Sequence, residues 1–352
     1  MLPVIPLAVV ATAIAAYGTK KTVDTVYDHS EASDLNDEAK RLLKKAEQRL
    51  GRNRGTCKKQ LEDLGLLKLK VWDRQLGRFA ALFKKIHRIE VKGTASSDTI
   101  QWTQDNLVEM KKLSGYANEM MVLGAAGSVS SAVLVRMASY GGASVFAPVL
   151  TGTSITALGG VAGTNATLAW LGGGSLVAGV GMAGSMAVLG GIVAAPVLAI
   201  GGVIFAAKAR ENLATARKNH ALAKEHEAKL NAATVVVVAI HDAALQVQEV
   251  IEELNERITP VLDELAQVIA ENGTDFSRYP ESAQQTVYLS TQFAQCLKTV
   301  LEAPLLTKKG TLETGYREAL KSGQKLLGEN GRTSKHKGRR TSFPSTVNRL
   351  LP

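Results

Sequence analysis

The sequence predicts an all-α protein in which long, coiled-coil-like helices flank a Gly-rich hydrophobic region that inserts into a membrane as a hairpin. Aromatic residues make up only 5% of the chain, and the abundance of Ala, Gly, Leu and Val favours closely packed helices over β-sheets. Arg136 is the only charged residue between Met120 and Ala207, and apolar residues recur every seven positions from Ala209 to Leu265. An uncharged stretch next to a heptad repeat indicates a membrane segment joined to a coiled coil.

Composition divides the 352 residues into five segments. They are an N-terminal apolar anchor or inserting arm (1–18), a basic helical arm (33–118), a Gly-rich apolar transmembrane or hairpin region (119–207), an acidic heptad arm with an extra helix (208–306) and a basic, partly disordered tail (307–352). The net charge of +10 is therefore unevenly distributed, with a surplus of bases in the first arm and the tail.

Residues 1–18 contain no charge, and Lys20 and Lys21 follow them. Eighteen helical residues span about 27 Å, close to the thickness of the hydrocarbon core of a bilayer. Lysines after the segment favour insertion with the body of the protein in the cytoplasm. A cleaved signal peptide, indicated by the Ala-Ile-Ala sequence at 13–15, and an arm packed on the body remain open as alternatives.

The basic arm predicts one long helix from Ser33 to about Glu90. Acidic residues crowd its first turn, and apolar residues follow at spacings of three and four. We expect Gly51 and Gly55 to break or bend this helix. A second helix is predicted to start near Ser97 and to run into the apolar region.

The heptads of the acidic arm predict a long seam, which Pro260 is expected to kink. Its central residues are Leu230, Val237, Val247, Ile251, Leu254 and Ile258. Because the arms carry opposite net charges and both have apolar seams, we expect residues 33–90 to pack along residues 209–268, within one subunit or between neighbours. An even number of membrane crossings between the arms predicts antiparallel pairing. Further helices are predicted at 279–304 and 311–327.

Residues 120–207 hold 18 of the 32 glycines of the chain. Small side chains at every fourth position let helix backbones approach closely in lipid, where burial of apolar surface gives little driving force. One such face consists of Ala183, Ala187, Gly191, Ala195 and Ala199, and Gly159 with Gly163 forms a GxxxG pair. A glycine zipper buried wholly in protein is the alternative. Arg136 is expected either to reach the interface or cap its helix, or to line a pore or pair with a partner.

Lys and Arg residues flank the apolar region on both sides. This pattern predicts that both flanks face the cytoplasm, with an even number of crossings between them. The expected partners are a lipid bilayer, anionic because the chain is basic, and further copies of the chain. We expect a membrane protein with its body on the cytoplasmic side, and a secreted soluble form that later inserts is the alternative.

The sequence contains no constellation typical of an enzyme, a cofactor site or a metal site. The segment 179–184 matches GxGxxG, but no acidic residue follows it before Glu211, so close packing explains its glycines better than a dinucleotide does. Cys57 and Cys296 lie far apart and predict neither a disulfide framework nor metal ligands. The basic run 332–340 lacks interleaved aromatic residues, so nucleic acid is not an expected partner.

Two long amphipathic helices around an apolar hairpin, over residues 33–270, resemble the α-helical pore-forming toxins of the cytolysin A type. The stretch 166–202, which begins ATLAWLGGGS, is similar to Gly-rich hairpins of uncharacterised bacterial proteins and, distantly, of apolipoprotein L. The resemblance implies a helical bundle that hides an apolar tongue, which swings out and assembles into a ring in the membrane. The chain departs from these toxins in its apolar N-terminus and in its longer apolar region.

Two functions are compatible with these patterns. The first is an oligomeric α-helical membrane-perforating protein, such as a bacterial toxin or defence effector. The second is a non-perforating, membrane-anchored helical scaffold or filament protein. Both predict oligomers, and they differ in whether the inserted region conducts.

Overall fold

The computed structural model describes residues 7–87, 104–125, 131–150, 213–307, 310 and 312–330, and within these ranges it describes side chains at most positions from Ser30 onward. The α-helices in these ranges are α1 (Leu7–Val71), α2 (Gly77–Phe83), α3 (Gln104–Ala125), α4 (Ser131–Leu150), α5 (Leu213–Asn272), α6 (Glu281–Glu302) and α7 (Gly315–Asn330). A π-helical turn, Trp72–Leu76, joins α1 to α2, and a 3-10 turn, Phe276–Arg278, precedes α6. The prediction of an all-α protein is confirmed.

Helix α1 is continuous over 65 residues, which corresponds to a length of about 98 Å. The expected break at Gly51 and Gly55 is wrong, because both glycines lie inside α1 on its exposed side. A Cβ added at either position would meet no atom within 4 Å. The helical phase changes instead at the π-helical turn, since a π turn holds one residue more than an α turn.

Helices α1 and α5 lie side by side and run parallel. Four side-chain hydrogen bonds join α1 to α5, and two more from Gln75 join the π-helical turn to α5. The two partners of each of these bonds are between 180 and 188 positions apart in the sequence. In an antiparallel pair this separation would change steadily along the helices. The expected packing of 33–90 along 209–268 is therefore confirmed within one chain. The expected antiparallel orientation is wrong, because the positions of the partners increase together along α1 and α5.

Most helices share one hydrophobic core. Buried side chains from α1 to α7 form a single cluster around the C-terminal two thirds of the α1–α5 pair. At the other end of the pair, α1 and α5 contact each other through a separate small cluster of Ala39, Leu43 and Ala223. We call this end, residues 31–43 with 216–226, the stalk, and the remainder the bundle.

The shorter helices complete the bundle. Helix α6 runs antiparallel to α5, and the Thr286 hydroxyl donates to the Glu264 carboxylate across 2.7 Å. Helix α7 packs on both, with Gly323 against Val250 and Val300. These helices confirm the two predicted after the heptad arm. Pro260 lies inside α5, which continues to Asn272.

Candidate functional site

The predicted seam residues of α5 lie in the core of a single chain. Each is at most 5% exposed, and they are Leu230, Val237, Val247, Ile251, Leu254 and Ile258. All six belong to the main cluster formed with α1 and the shorter helices. The seam, which the heptads predict to pack within one subunit or between neighbours, is thus occupied within one subunit, and its burial requires no second copy.

The small-residue face lies outside the described residues. This holds for Gly159, Gly163, Ala183, Ala187, Gly191, Ala195 and Ala199. The site that can be built from described residues is the junction from which this part of the chain departs. At this junction, α4 contacts α1 and the end of α6. Residues 142–207, which follow this contact in the sequence, are called the uncharged segment.

The first half of α4 packs into the bundle. Val133, Val135, Met137 and Ala138 are at most 9% exposed and lie in the main cluster. Arg136 stands among them and is half-buried. The apolar side chains of this half of α4 are used in protein packing in this structure, and the expectation that the membrane region begins near residue 119 stays a prediction.

Helices α1 and α4 approach each other backbone to backbone. A Cβ added at Gly65 of α1 would overlap the main chain of Leu134, so only glycine fits at this crossing. One turn before it, the Ser131 hydroxyl donates to the Glu62 carboxylate. The contacts advance in the same direction along both helices, so α4 also runs parallel to α1.

Helix α4 is interrupted at Gly141. This residue has φ 77° and ψ 172°, a backbone conformation that is essentially restricted to glycine. Because Gly141 is not helical, the regular geometry of the helix is broken at this residue. The first half of α4 therefore ends at a kink inside the bundle.

Groups from α1 and from the residues after α6 donate hydrogen bonds to the backbone just before this kink. The backbone N–H groups of Leu305 and Leu306, just after α6, both donate to the Ser139 carbonyl, across 2.8 and 2.9 Å. The Lys68 ammonium nitrogen, Nζ, donates to the Ala138 carbonyl across 3.3 Å. A basic side chain at the carboxyl end of a helix also interacts favourably with the helix dipole.

Lys68 is completely buried. Burial lowers the pKa of Lys68 to about 7 from its usual 10.5, because the charged form loses its hydration. Sequence reasoning missed this residue, since a lysine in a helix is normally exposed. Its spacing was the available signal: Lys68 stands four residues after Leu64 and three before Val71, where the apolar series of α1 requires a core residue.

Glu302, at the end of α6, borders the same junction. A Cβ at Gly141 would overlap the main chain of Glu302, so the interrupted part of α4 lies directly against the last turn of α6. Burial raises the pKa of the Glu302 carboxyl, and Glu109 raises it further, while Lys298 at 3.7 Å lowers it. The junction thus contains the Lys68 amine and the Glu302 carboxyl group, and burial favours the neutral form of both.

The described residues offer little for catalysis. No group of three His, Cys, Asp or Glu side chains among them could hold a metal ion. Burial raises the pKa of Cys57 to about 12 and that of Cys296 to about 11, so both thiols are poor nucleophiles at neutral pH. What the arrangement does provide is a terminated and capped helix end at the start of the uncharged segment.

One helix of the described part, α5, is long and apolar enough to cross a membrane by length and composition. Core helices of helical bundles have the same properties, and the seam of α5 is buried, so this finding supports membrane association only in general terms. The chain matches no known protein family, no curated protein and no solved structure.

Proposed function

We propose that the protein is an oligomeric α-helical membrane-perforating protein whose uncharged segment enters an anionic bilayer. The observation that carries the proposal is the parallel pairing of α1 and α5. The Arg217 guanidinium lies 2.9 Å from the Glu31 carboxylate, near the first residues of α5. The uncharged residues 1–18 precede Glu31, and the uncharged segment precedes Arg217, so both sequences lead into the same end of the stalk.

The length of the chain is compatible with insertion at that end. Lys68 binds the Ala138 carbonyl of α4, and α1 covers roughly 55 Å between Lys68 and Glu31. An extended chain crosses this distance with about 17 residues. Since 62 residues separate Leu150 from Leu213, enough remain for a hairpin of two spans of about 20 residues each.

Leakage from vesicles tests the proposal. Micromolar protein is added to dye-filled vesicles containing phosphatidylglycerol, and to phosphatidylcholine vesicles as a comparison. We expect release from the anionic vesicles, because the net charge of +10 attracts the protein to them. Anionic vesicles that stay sealed, with protein bound to them, contradict perforation.

Two matched substitutions separate insertion from binding. Val161→Asp places a charge in the uncharged segment, where a carboxylate at the bilayer centre costs about 2.5–3.5 kcal/mol, and should abolish release. Val235→Asp makes the same change on the surface of α5, where the side chain is 68% exposed, and should leave release intact. Equal loss in both variants argues against insertion of the uncharged segment.

A membrane-anchored scaffold is the second candidate. The specific observation in its favour is that the heptad seam of α5 is already buried within one chain. Vesicle flotation distinguishes the two functions: a scaffold floats with anionic vesicles and leaves their contents inside.

A further inference from the structure

We infer that a cleft between α2 and α3 binds one medium-chain fatty acid, with the aliphatic chain on an apolar floor and the carboxylate among three lysines. The inference goes beyond the proposed function, because it concerns a dissolved amphiphile and not a bilayer. We call this site the α2–α3 cleft. It has a volume of about 350 Å³ and is lined by Ala80, Lys84, Leu107, Val108, Lys111 and Lys112.

The two walls of the cleft are antiparallel. The Asn118 side-chain amide of α3 donates to the Asp73 carboxylate, which lies just before α2. Gly77, four residues after Asp73, lies against Ser114, four residues before Asn118. The cleft follows one turn further along this alignment, where residues near the end of α2 face residues of the first half of α3. Both walls are therefore built on helices that contact each other directly.

The floor of the cleft is apolar. Ala80 and Leu107 are buried, and Val108 beside them is 44% exposed. A ligand that covers Val108 removes apolar surface from water on both sides of the contact, which favours binding. The floor therefore suits an aliphatic chain.

Three positive charges border this floor. Lys84 directly follows the last residue of α2, and Lys111 and Lys112 stand four residues after Leu107 and Val108, one helical turn along α3. Within the part of the chain that the structure describes, none of the three ammonium groups forms an ion pair with a carboxylate. Like charges repel one another, so a ligand carboxylate among the three lysines is attracted by all of them.

The volume of the cleft restricts the ligand further. Sites for small ligands commonly enclose about 300–1,000 Å³. The α2–α3 cleft, at about 350 Å³, lies near the lower limit, so it suits one aliphatic chain and not the two chains of a phospholipid. A small anion would leave the floor uncovered, and an uncharged hydrocarbon would gain nothing from the lysines. A fatty acid anion uses both.

Isothermal titration calorimetry with laurate, below its micelle concentration, tests the inference on the full-length chain. We expect one laurate per chain. Acetate has the carboxylate without the chain, and dodecyltrimethylammonium has the chain with the opposite charge. Both should bind at least about tenfold more weakly than laurate, because each loses one of the two contributions.

Matched variants locate the bound laurate. Val108→Asp puts a negative charge on the floor and should weaken laurate binding by about tenfold. Val122→Asp makes the same change elsewhere on α3, where the side chain is 63% exposed, and should bind laurate like the native chain. Lys84→Gln should weaken binding roughly threefold, as the loss of one exposed charge does. Lys85→Gln, at the next position and outside the cleft, should not weaken it.

Each other outcome overturns the inference. No heat of laurate binding means that the cleft takes no fatty acid. Equal affinities of Val108→Asp and Val122→Asp place the laurate elsewhere on the chain. Acetate that binds as tightly as laurate removes the role of the floor, and dodecyltrimethylammonium that does so removes the role of the lysines. Because the titration uses no vesicles, its result is independent of whether the protein perforates membranes.

Discussion

The side-chain amide of Asn219 in α5 donates to the side-chain oxygen of Asn36 in α1 across 3.3 Å. Asn36 is only 7% exposed, and the apolar contacts of the stalk around it are made by Ala39, Leu43 and Ala223. A polar pair at a coiled-coil seam fixes the alignment of the helices at a cost in stability. In the stalk, therefore, a hydrogen bond between two amides sets the register that bulky side chains set in the bundle.

Replacing both members of this pair is expected to stabilise the protein. The double variant Asn36→Leu with Asn219→Leu should raise the free energy of unfolding by about 1 kcal/mol, because a leucine pair fills the seam without polar groups. Either single variant leaves one buried amide without its partner and should not exceed the native stability. Urea unfolding of all three variants measures the difference, and a double variant weaker than both singles contradicts the assignment.

The seam of α5 should dominate the stability of the bundle. Leu254 is fully buried, and Leu254→Ala should lower the free energy of unfolding by about 2–5 kcal/mol through the lost contacts and the remaining cavity. Val235→Ala, on the exposed side of the same helix, should change it by less than about 0.5 kcal/mol. Urea unfolding followed by circular dichroism compares the two; similar losses would show that the outer face is also packed.

Two glycines of α1 should respond in opposite directions to the same substitution. Gly65→Ala places a methyl group against the Leu134 main chain and should destabilise the fold by about 1–3 kcal/mol. The methyl group of Gly51→Ala has no atom within 4 Å, so this variant should stabilise the fold by about 0.5–1 kcal/mol, since alanine is the better helix former. Thermal unfolding of both variants provides the measurement, and a harmless Gly65→Ala would disprove the close α1–α4 crossing.

The lowered pKa of Lys68 predicts that the free energy of unfolding rises with pH. Its pKa is lowered to about 7 in the folded protein, so between pH 7 and 10.5 the unfolded chain binds the proton and the folded chain does not. Stability therefore increases with pH through this window. Comparing native protein with Lys68→Met isolates the effect, because methionine cannot titrate. Between pH 7 and 10 the native protein should gain about 3 kcal/mol relative to the variant.

The control for this prediction is Lys70→Met. Lys70 lies on the exposed side of α1, so its variant should follow the native pH dependence. Parallel curves for the native protein and Lys68→Met, measured by urea unfolding at three pH values, would mean that the amine at position 68 is solvated.

The heptad pattern predicted the long helices and their contact because it reports a property of the helices themselves. Residues such as Val237 and Ile251 recur at the seam wherever the partner helix comes from, so their burial could be predicted. The direction in which the partner helix runs could not be predicted from this pattern. Parallel and antiparallel neighbours bury the same stripe, and only pairs such as Gln60 with Gln248 distinguish them.

The junction at Gly141 was unpredictable for a different reason. Val133 and Val135 are apolar enough for a bilayer or for a protein core, and hydropathy alone does not separate the two environments. Gly141 is one of many glycines in its region, and nothing in the sequence marks it as the one with a positive φ. Lys68 carried the only local signal, a charge at a seam position.

Parallel pairing of α1 and α5 has a consequence for the order in which the chain is made. Partners that are between 180 and 188 positions apart cannot meet until the ribosome has synthesised all residues between them. At about 5–20 residues per second, α1 waits roughly 10–40 seconds for α5. Residues 1–18 and the uncharged segment both leave the ribosome before α5 does. Both apolar sequences are therefore accessible to a membrane or a chaperone close to the ribosome before the bundle forms.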